Sequence, residues 1–205
     1  MHKNNRDRTR CAYCSSPATS VDHVPPKNLF PTDRTGLITV PACDKHNGKR
    51  SNLDEQFRDY IATHIDDDTS NAQALLSKTF RAANRNKRIQ QWQPDLGAYT
   101  VEIKSDCFKP MIDWITRGLY WHIYPGYRLP LDVTMRIGQL RIGEWLPEFI
   151  SDMYKFATGG EQFLCACKRM DDYPTISAWV YVFHRRIVAM AMTDLALQAE
   201  LDDKL

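Results

Sequence analysis

The sequence predicts an α+β protein in two parts, a small metal-held module over residues 1–66 and a mixed helix and strand domain over residues 67–205. Three observations predict it. Paired Cys-x-x-Cys and Cys-x-x-His knuckles stand in the first quarter of the chain, apolar residues then recur at helical spacing, and short alternating segments occupy the second half.

The knuckles come first. Cys11-Ala-Tyr-Cys14 brings two thiolates onto one ion across a tight turn, and Cys43-Asp-Lys-His46 adds a sulfur and an imidazole, completing a closed Cys3His zinc set. A closed set is structural. The residues between the knuckles cannot bury much apolar area, so the ion would supply folding free energy that a core supplies elsewhere. A disulfide, a chance spacing, or a three-cysteine site that frees His46 for chemistry are the competing readings; two knuckles together favour the four-ligand set. Between them lies Asp22-His23-Val24-Pro25-Pro26, and Asn47 follows His46 directly. Sorted by hardness, Asp22 and Asn47 offer oxygen ligands to a cation such as Mg²⁺ rather than to zinc. His23, with an ordinary pKa near ~6.5, can take a proton from water as a neutral imidazole.

Cys11-x-x-Cys14, Asp22-His23-Val24-x-Pro26, Val40-Pro41-x-Cys43-x-x-His46-Asn47 and Lys49-Arg50-Ser51 together resemble an HNH endonuclease of the zinc-stapled, beta-beta-alpha-metal type, over roughly residues 8 to 66. The resemblance implies a treble-clef-like hairpin and helix, with the Asp-His pair ending the first strand. It implies that His23 is the general base, that Asp22 and Asn47 hold a catalytic Mg²⁺ or Mn²⁺, and that Zn²⁺ is structural. The implied reaction is hydrolysis of phosphodiester bonds in DNA, with RNA a second target, as part of bacterial or phage defence. Two positions depart from the pattern. His46 stands where many members carry Cys, and Leu37-Ile38-Thr39-Val40-Pro41 lacks the middle Asn. The alternative is a non-catalytic zinc module that binds nucleic acid or a protein partner, with Asp22-His23 incidental.

Charge supports a polyanionic partner once the chain is divided. The formal net charge is +2, yet residues 1–50 hold nine Lys and Arg against four Asp. Lys27, Lys49 and Arg50 are the candidate phosphate-binding side chains, although solvated surface charge explains each equally well. Lys78, Arg81, Arg85, Lys87 and Arg88 form a second basic run, open to the same two readings.

A hydrophobic content of 43% suits a globular chain, and no stretch approaches the ~18 apolar residues needed to cross a bilayer. Met1 to Arg6 has charge with no apolar segment behind it, so a cytoplasmic protein with reduced thiols is expected. Cys107, Cys165 and Cys167 read as buried small hydrophobes. Ser51-Asn52-Leu53-Asp54 resembles a capping box opening a helix with Leu53, Phe57, Tyr60, Ile61 and Ile65 at helical spacing. Asp68, Thr69 or Ser70 caps a second helix, whose repeat runs through Leu75, Leu76, Thr79, Phe80 and Ala83. Further on, Tyr99–Lys104 reads as a strand, Phe108–Ile123 as a helix, the alternation at Val133, Met135 and Ile137 as a strand, and Trp145–Phe156 as a helix. Phe163–Cys167, Trp179–Phe183 and Ile187–Met192 read as strands, the last two turning at His184-Arg185-Arg186. The aromatic segment 118–128 could stack on bases, but its spacing favours core. The second domain is expected to position substrate, form a homo-oligomer or bind a regulator.

Overall fold

The structure is a computed structural model that describes residues 7–48, 50–65, 69–85, 89–93, 98–101, 105–140 and 148–194. It is mixed α+β, as the sequence predicts. Strands β1 (Ser20–His23) and β2 (Thr39–Ala42) form an antiparallel hairpin that pairs Asp22 with Val40 and His23 with Thr39. The connection holds a 3-10 turn at Lys27–Leu29, and a single helical turn, α1 (Asp44–Asn47), follows β2. Helices α2 (Ser51–His64) and α3 (Ser70–Arg85) pack on each other, and a second hairpin joins β3 (Ile89–Gln93) to β4 (Ala98–Val101).

After α4 (Phe108–Ile123) the chain builds one antiparallel sheet from β5 (Thr134–Leu140), β6 (Tyr154–Thr158), β7 (Phe163–Arg169), β8 (Ser177–Phe183) and β9 (Ile187–Asp194). The strand order is β5-β9-β8-β7-β6, a meander with β5 added at the far edge. Alternation decides its faces. Phe163, Cys165 and Cys167 on β7, with Trp179, Tyr181 and Phe183 on β8, turn inward to the main core, while Ala166, Val180 and Val188 belong to a smaller cluster with Met153. Helix α4 lies between the inner sheet face and the first hairpin. Its Thr116 hydroxyl meets the Tyr181 hydroxyl at 2.8 Å on one side, and Gly118 meets Val24 and Tyr13 on the other.

The buried cluster runs without interruption from Cys11 through Phe57 and Ile115 to Ala191, so residues on both sides of the expected boundary at 66 share one core. Elsewhere the sequence reading needs adjustment. Trp145–Phe156 is not one helix: residues 145–147 lie outside the described residues, Glu148–Asp152 is a 3-10 turn, and Tyr154–Thr158 is a strand whose Tyr154 pairs with Cys167. Pairing with β7 outweighs helical spacing there. Ser51 does not cap α2, since Arg50 holds the cap position without a side-chain bond, whereas the Thr69 hydroxyl does accept the Ala72 N–H of α3 at 3.3 Å. Of the expected α3 repeat, Leu75, Thr79 and Ala83 are buried, while Leu76 and Phe80 are exposed at 36% and 43% and Ala72 and Ala82 complete the buried side. Residues 102–104 of the expected strand, like Lys87 and Arg88 of the basic run, lie outside the described residues. The segment 118–128 is core where it is helical, with Tyr120 and Trp121 buried. Cys107, Cys165 and Cys167 are buried and free of disulfides. Among the described residues no helix is long and apolar enough to cross a membrane.

Gly118 marks the tightest approach of α4 to the hairpin. A Cβ there would stand 2.7 Å from Val24 Cγ2 and 2.9 Å from the Tyr13 hydroxyl. Gly118→Ala should therefore lower stability by roughly 1–3 kcal/mol, because overpacking outweighs the gain of about 1 kcal/mol in helix propensity. Urea unfolding measures it, and a stabilised variant would contradict the close contact.

Candidate metal centre and the residues around it

The four knuckle residues converge. Their ligand atoms, the sulfurs of Cys11, Cys14 and Cys43 and a ring nitrogen of His46, lie within 4.8 Å of one another. Cys14 Sγ stands 3.8 Å from Cys43 Sγ, far beyond a disulfide bond and equal to the edge of about 3.8 Å that two thiolates span on a tetrahedral zinc. His46 Nδ1 lies 3.3 Å from Cys43 Sγ and 3.6 Å from Cys11 Sγ, against a tetrahedral S–N edge of about 3.6 Å. The donor set fits a metal ion such as zinc. Arg128 braces the first knuckle, donating from Nε to the Ala12 carbonyl at 3.0 Å and from Nη2 to that of Cys11 at 2.8 Å.

Asp22 sits one strand residue from His23 and is only 3% exposed. Its Oδ1 accepts Arg50 Nη2 at 2.5 Å, while Oδ2 accepts Arg50 Nη1 at 2.7 Å, the Tyr13 hydroxyl at 2.6 Å and Trp114 Nε1 at 3.0 Å. Four donors meet about four lone-pair sites. A hard cation would have to displace the guanidinium, so Asp22 as arranged here does not fit the role of catalytic metal ligand. Arg50 is likewise not arranged as a phosphate grip. It is 7% exposed, its Nε binds Asp54 at 2.9 Å, and its guanidinium carbon lies 4.8 Å from the Trp114 ring centroid. Asp54 is pushed up to about 6 because burial disfavours its charge more than Arg50 supports it.

The other expected site residues separate. Asn47 closes α1 and donates its amide to Ser20 Oγ at 2.9 Å and to the Val21 carbonyl at 3.2 Å, fastening the second knuckle to β1. Its amide nitrogen thus faces the strand. His23 is half-buried at the end of β1, and burial, reinforced by the charge of Lys27, holds its pKa below the ordinary value. The imidazole is therefore neutral at pH 7. Lys27 is exposed in the 3-10 turn, and Lys49 lies outside the described residues.

The sequence alone does not single out Tyr13, Trp114 and Arg128 as parts of this centre. Tyr13 and Trp114 stack with centroids 3.9 Å apart, and the His46 ring lies 5.7 Å from the first and 5.4 Å from the second. This aromatic pair joins His46 to Asp22. Only the position of Tyr13 inside the first knuckle hints at it; nothing local marks Trp114, which is 92 residues from Asp22. The chain matches no family model, no curated protein and no solved structure.

Two measurements test this arrangement. One zinc per chain is expected by elemental analysis, and Cys43→Ala should lose it together with the cooperative unfolding transition. Asp22→Ala should cost roughly 3–5 kcal/mol by stranding the buried Arg50 charge, while Asp22→Leu with Arg50→Met in the same chain should recover most of that. Equal losses in the single and double variants would refute the pairing.

Proposed function

We propose that the protein is a metal-stapled nuclease of the HNH type that hydrolyses phosphodiester bonds in DNA, with His23 as general base. The observation that carries this reading is the setting of His23. It ends the first strand of a hairpin anchored beside the Cys3His cluster, is partly open to solvent, and is kept neutral by burial and by the neighbouring cations Lys27 and Arg34. A neutral imidazole can accept a proton, and cations beside it suit an anionic substrate.

In the reaction His23 takes a proton from a water beside the scissile phosphate, the resulting hydroxide attacks phosphorus, the P–O bond to the leaving oxygen breaks as that oxygen takes up a proton from solvent, and His23 returns its own proton to solvent. The charges of Lys27 and Arg34, which act on His23, would offset the negative charge that develops on the phosphate oxygens. Asp22 acts from behind. By fixing Arg50 and Trp114 it sets the β1 backbone, and so the direction of the next side chain. The zinc ion would take no part in bond breaking, because four protein ligands leave it no open position. A second reading, a zinc module that binds nucleic acid without cutting it, is favoured by one observation, the saturation of Asp22 by protein donors.

Nicking of supercoiled plasmid in Mg²⁺ buffer separates the two readings. Wild type should nick, and His23→Ala with full zinc content should fall by a factor of about 10²–10⁴, the usual contribution of a general base. Equal nicking by both, or binding without nicking, would overturn the proposal. The pH profile adds a signed test. The rate rises as His23 loses its proton, and the folded-state pKa lies below 6.5, so the acid limb should be centred below 6.5. Lys27→Ala removes a repulsion that favours the neutral ring and should move that limb upward; a downward move would contradict the electrostatics.

A further inference from the structure

Helix α3 approaches the same region from a part of the chain that the nuclease reading does not use. Helix α2 connects the two. On one side Asn28, in the 3-10 turn with Lys27, donates its amide to the Asp54 carbonyl at 2.8 Å. On the other, Thr79 of α3 donates its hydroxyl to Asp59 at 2.9 Å. Lys78 precedes Thr79 on α3 and is half-buried. The charges that act most on it are those of Arg58, Arg34, Arg81 and Lys27. Arg58 is neutralised by Asp59 at 2.5 Å and by Glu55 at 3.5 Å, whereas none of Lys27, Arg34, Lys78 and Arg81 has an ion pair among the described residues. Burial, reinforced by these like charges, lowers the Lys78 pKa.

Like charges that lack ion pairs among the described residues repel one another. A polyanion relieves the repulsion. Helical geometry gives the group a direction as well, since Lys78, Arg81 and Arg85 recur on one flank of α3 and span about 10.5 Å along its axis. That is about three nucleotide steps at a rise of 3.4 Å per phosphate.

We propose that Lys78 and Arg81 of α3 join Lys27 and Arg34 in one cationic surface that grips the sugar–phosphate backbone of a nucleic acid beside His23. The contact is to phosphates, so it fixes the strand without reading its bases. This rests on the His23 reading for the location of the cut and on nothing else in that reading.

Binding of a fluorescent 20-base-pair DNA duplex, measured from 50 to 300 mM salt with zinc-loaded full-length protein, tests the surface. The Lys78→Ala/Arg81→Ala variant, with zinc content and circular dichroism unchanged, should bind at least tenfold more weakly at 100 mM salt. Its log–log salt slope should be shallower by about 2, near 0.9 for each lost phosphate contact. Lys78→Arg/Arg81→Lys should restore both, and Arg136→Ala/Lys168→Ala should change neither. An RNA duplex bound with the same slope would support backbone contact; polyglutamate binding as tightly as DNA would overturn it, as would wild-type slope in the double alanine variant. His23→Ala separates the two proposals. Normal binding by that variant with lost cleavage upholds both, whereas wild-type binding that depends on Lys78 and Arg81 but never leads to cleavage upholds the surface and sinks the nuclease.

Discussion

The Asp22 carboxylate, buried and ringed by Arg50, Tyr13 and Trp114, is the point on which the three parts of the fold meet. Tyr13 comes from the first knuckle, Arg50 from the start of α2 and Trp114 from α4. Desolvating a carboxylate and a guanidinium costs several kcal/mol for each ion, and only near-complete hydrogen bonding offsets it. The arrangement is therefore intolerant of partial loss. It also transmits the state of the metal centre, because the His46 ring packs on the Tyr13–Trp114 pair that completes the donor ring.

His23 inherits its place from that anchor. Successive strand residues point to opposite faces, so burying Asp22 inward obliges His23 to project from the other face of β1, where Lys27 and Arg34 influence it. The metal-binding cluster, the Asp22 anchor and His23 thus form a sequence of constraints. The Cys3His cluster, which could hold a metal such as zinc, joins the knuckles that carry Tyr13 and His46, and the aromatic pair with Arg50 holds Asp22. Helix α3 adds positive charge from the neighbouring layer without entering this sequence.

Much of this was legible where the signal is local. The Cys-x-x-Cys and Cys-x-x-His spacing located the metal ligands, alternation located β7, β8 and β9, and the turn at His184-Arg185-Arg186 joins the last two. What stayed hidden in the sequence depended on distant partners. Asp22 and Asn47 looked like a hard-cation pair because their chemistry suits one, and sequence cannot show that Arg50, 28 positions away, saturates the carboxylate. Arg50 looked exposed for the same reason. Leu75, Thr79 and Ala83 of the expected α3 repeat are buried, whereas Leu76 and Phe80 are exposed and Ala72 and Ala82 complete the buried side. The strand at Tyr154–Thr158 was concealed because its pairing with β7, rather than its own spacing, determines its form.

The central claim, that Asp22 is committed to Arg50 and acts as an anchor, is tested most directly by nuclear magnetic resonance of the Arg50 guanidinium during a Mg²⁺ titration of the zinc-loaded protein. The account predicts that the Arg50 Nε–H and Nη–H signals, assigned by loss in Arg50→Lys, exchange slowly with solvent and keep their positions up to millimolar Mg²⁺. Collapse of those signals into rapid exchange as Mg²⁺ binds would show the carboxylate passing from arginine to cation, and would contradict it.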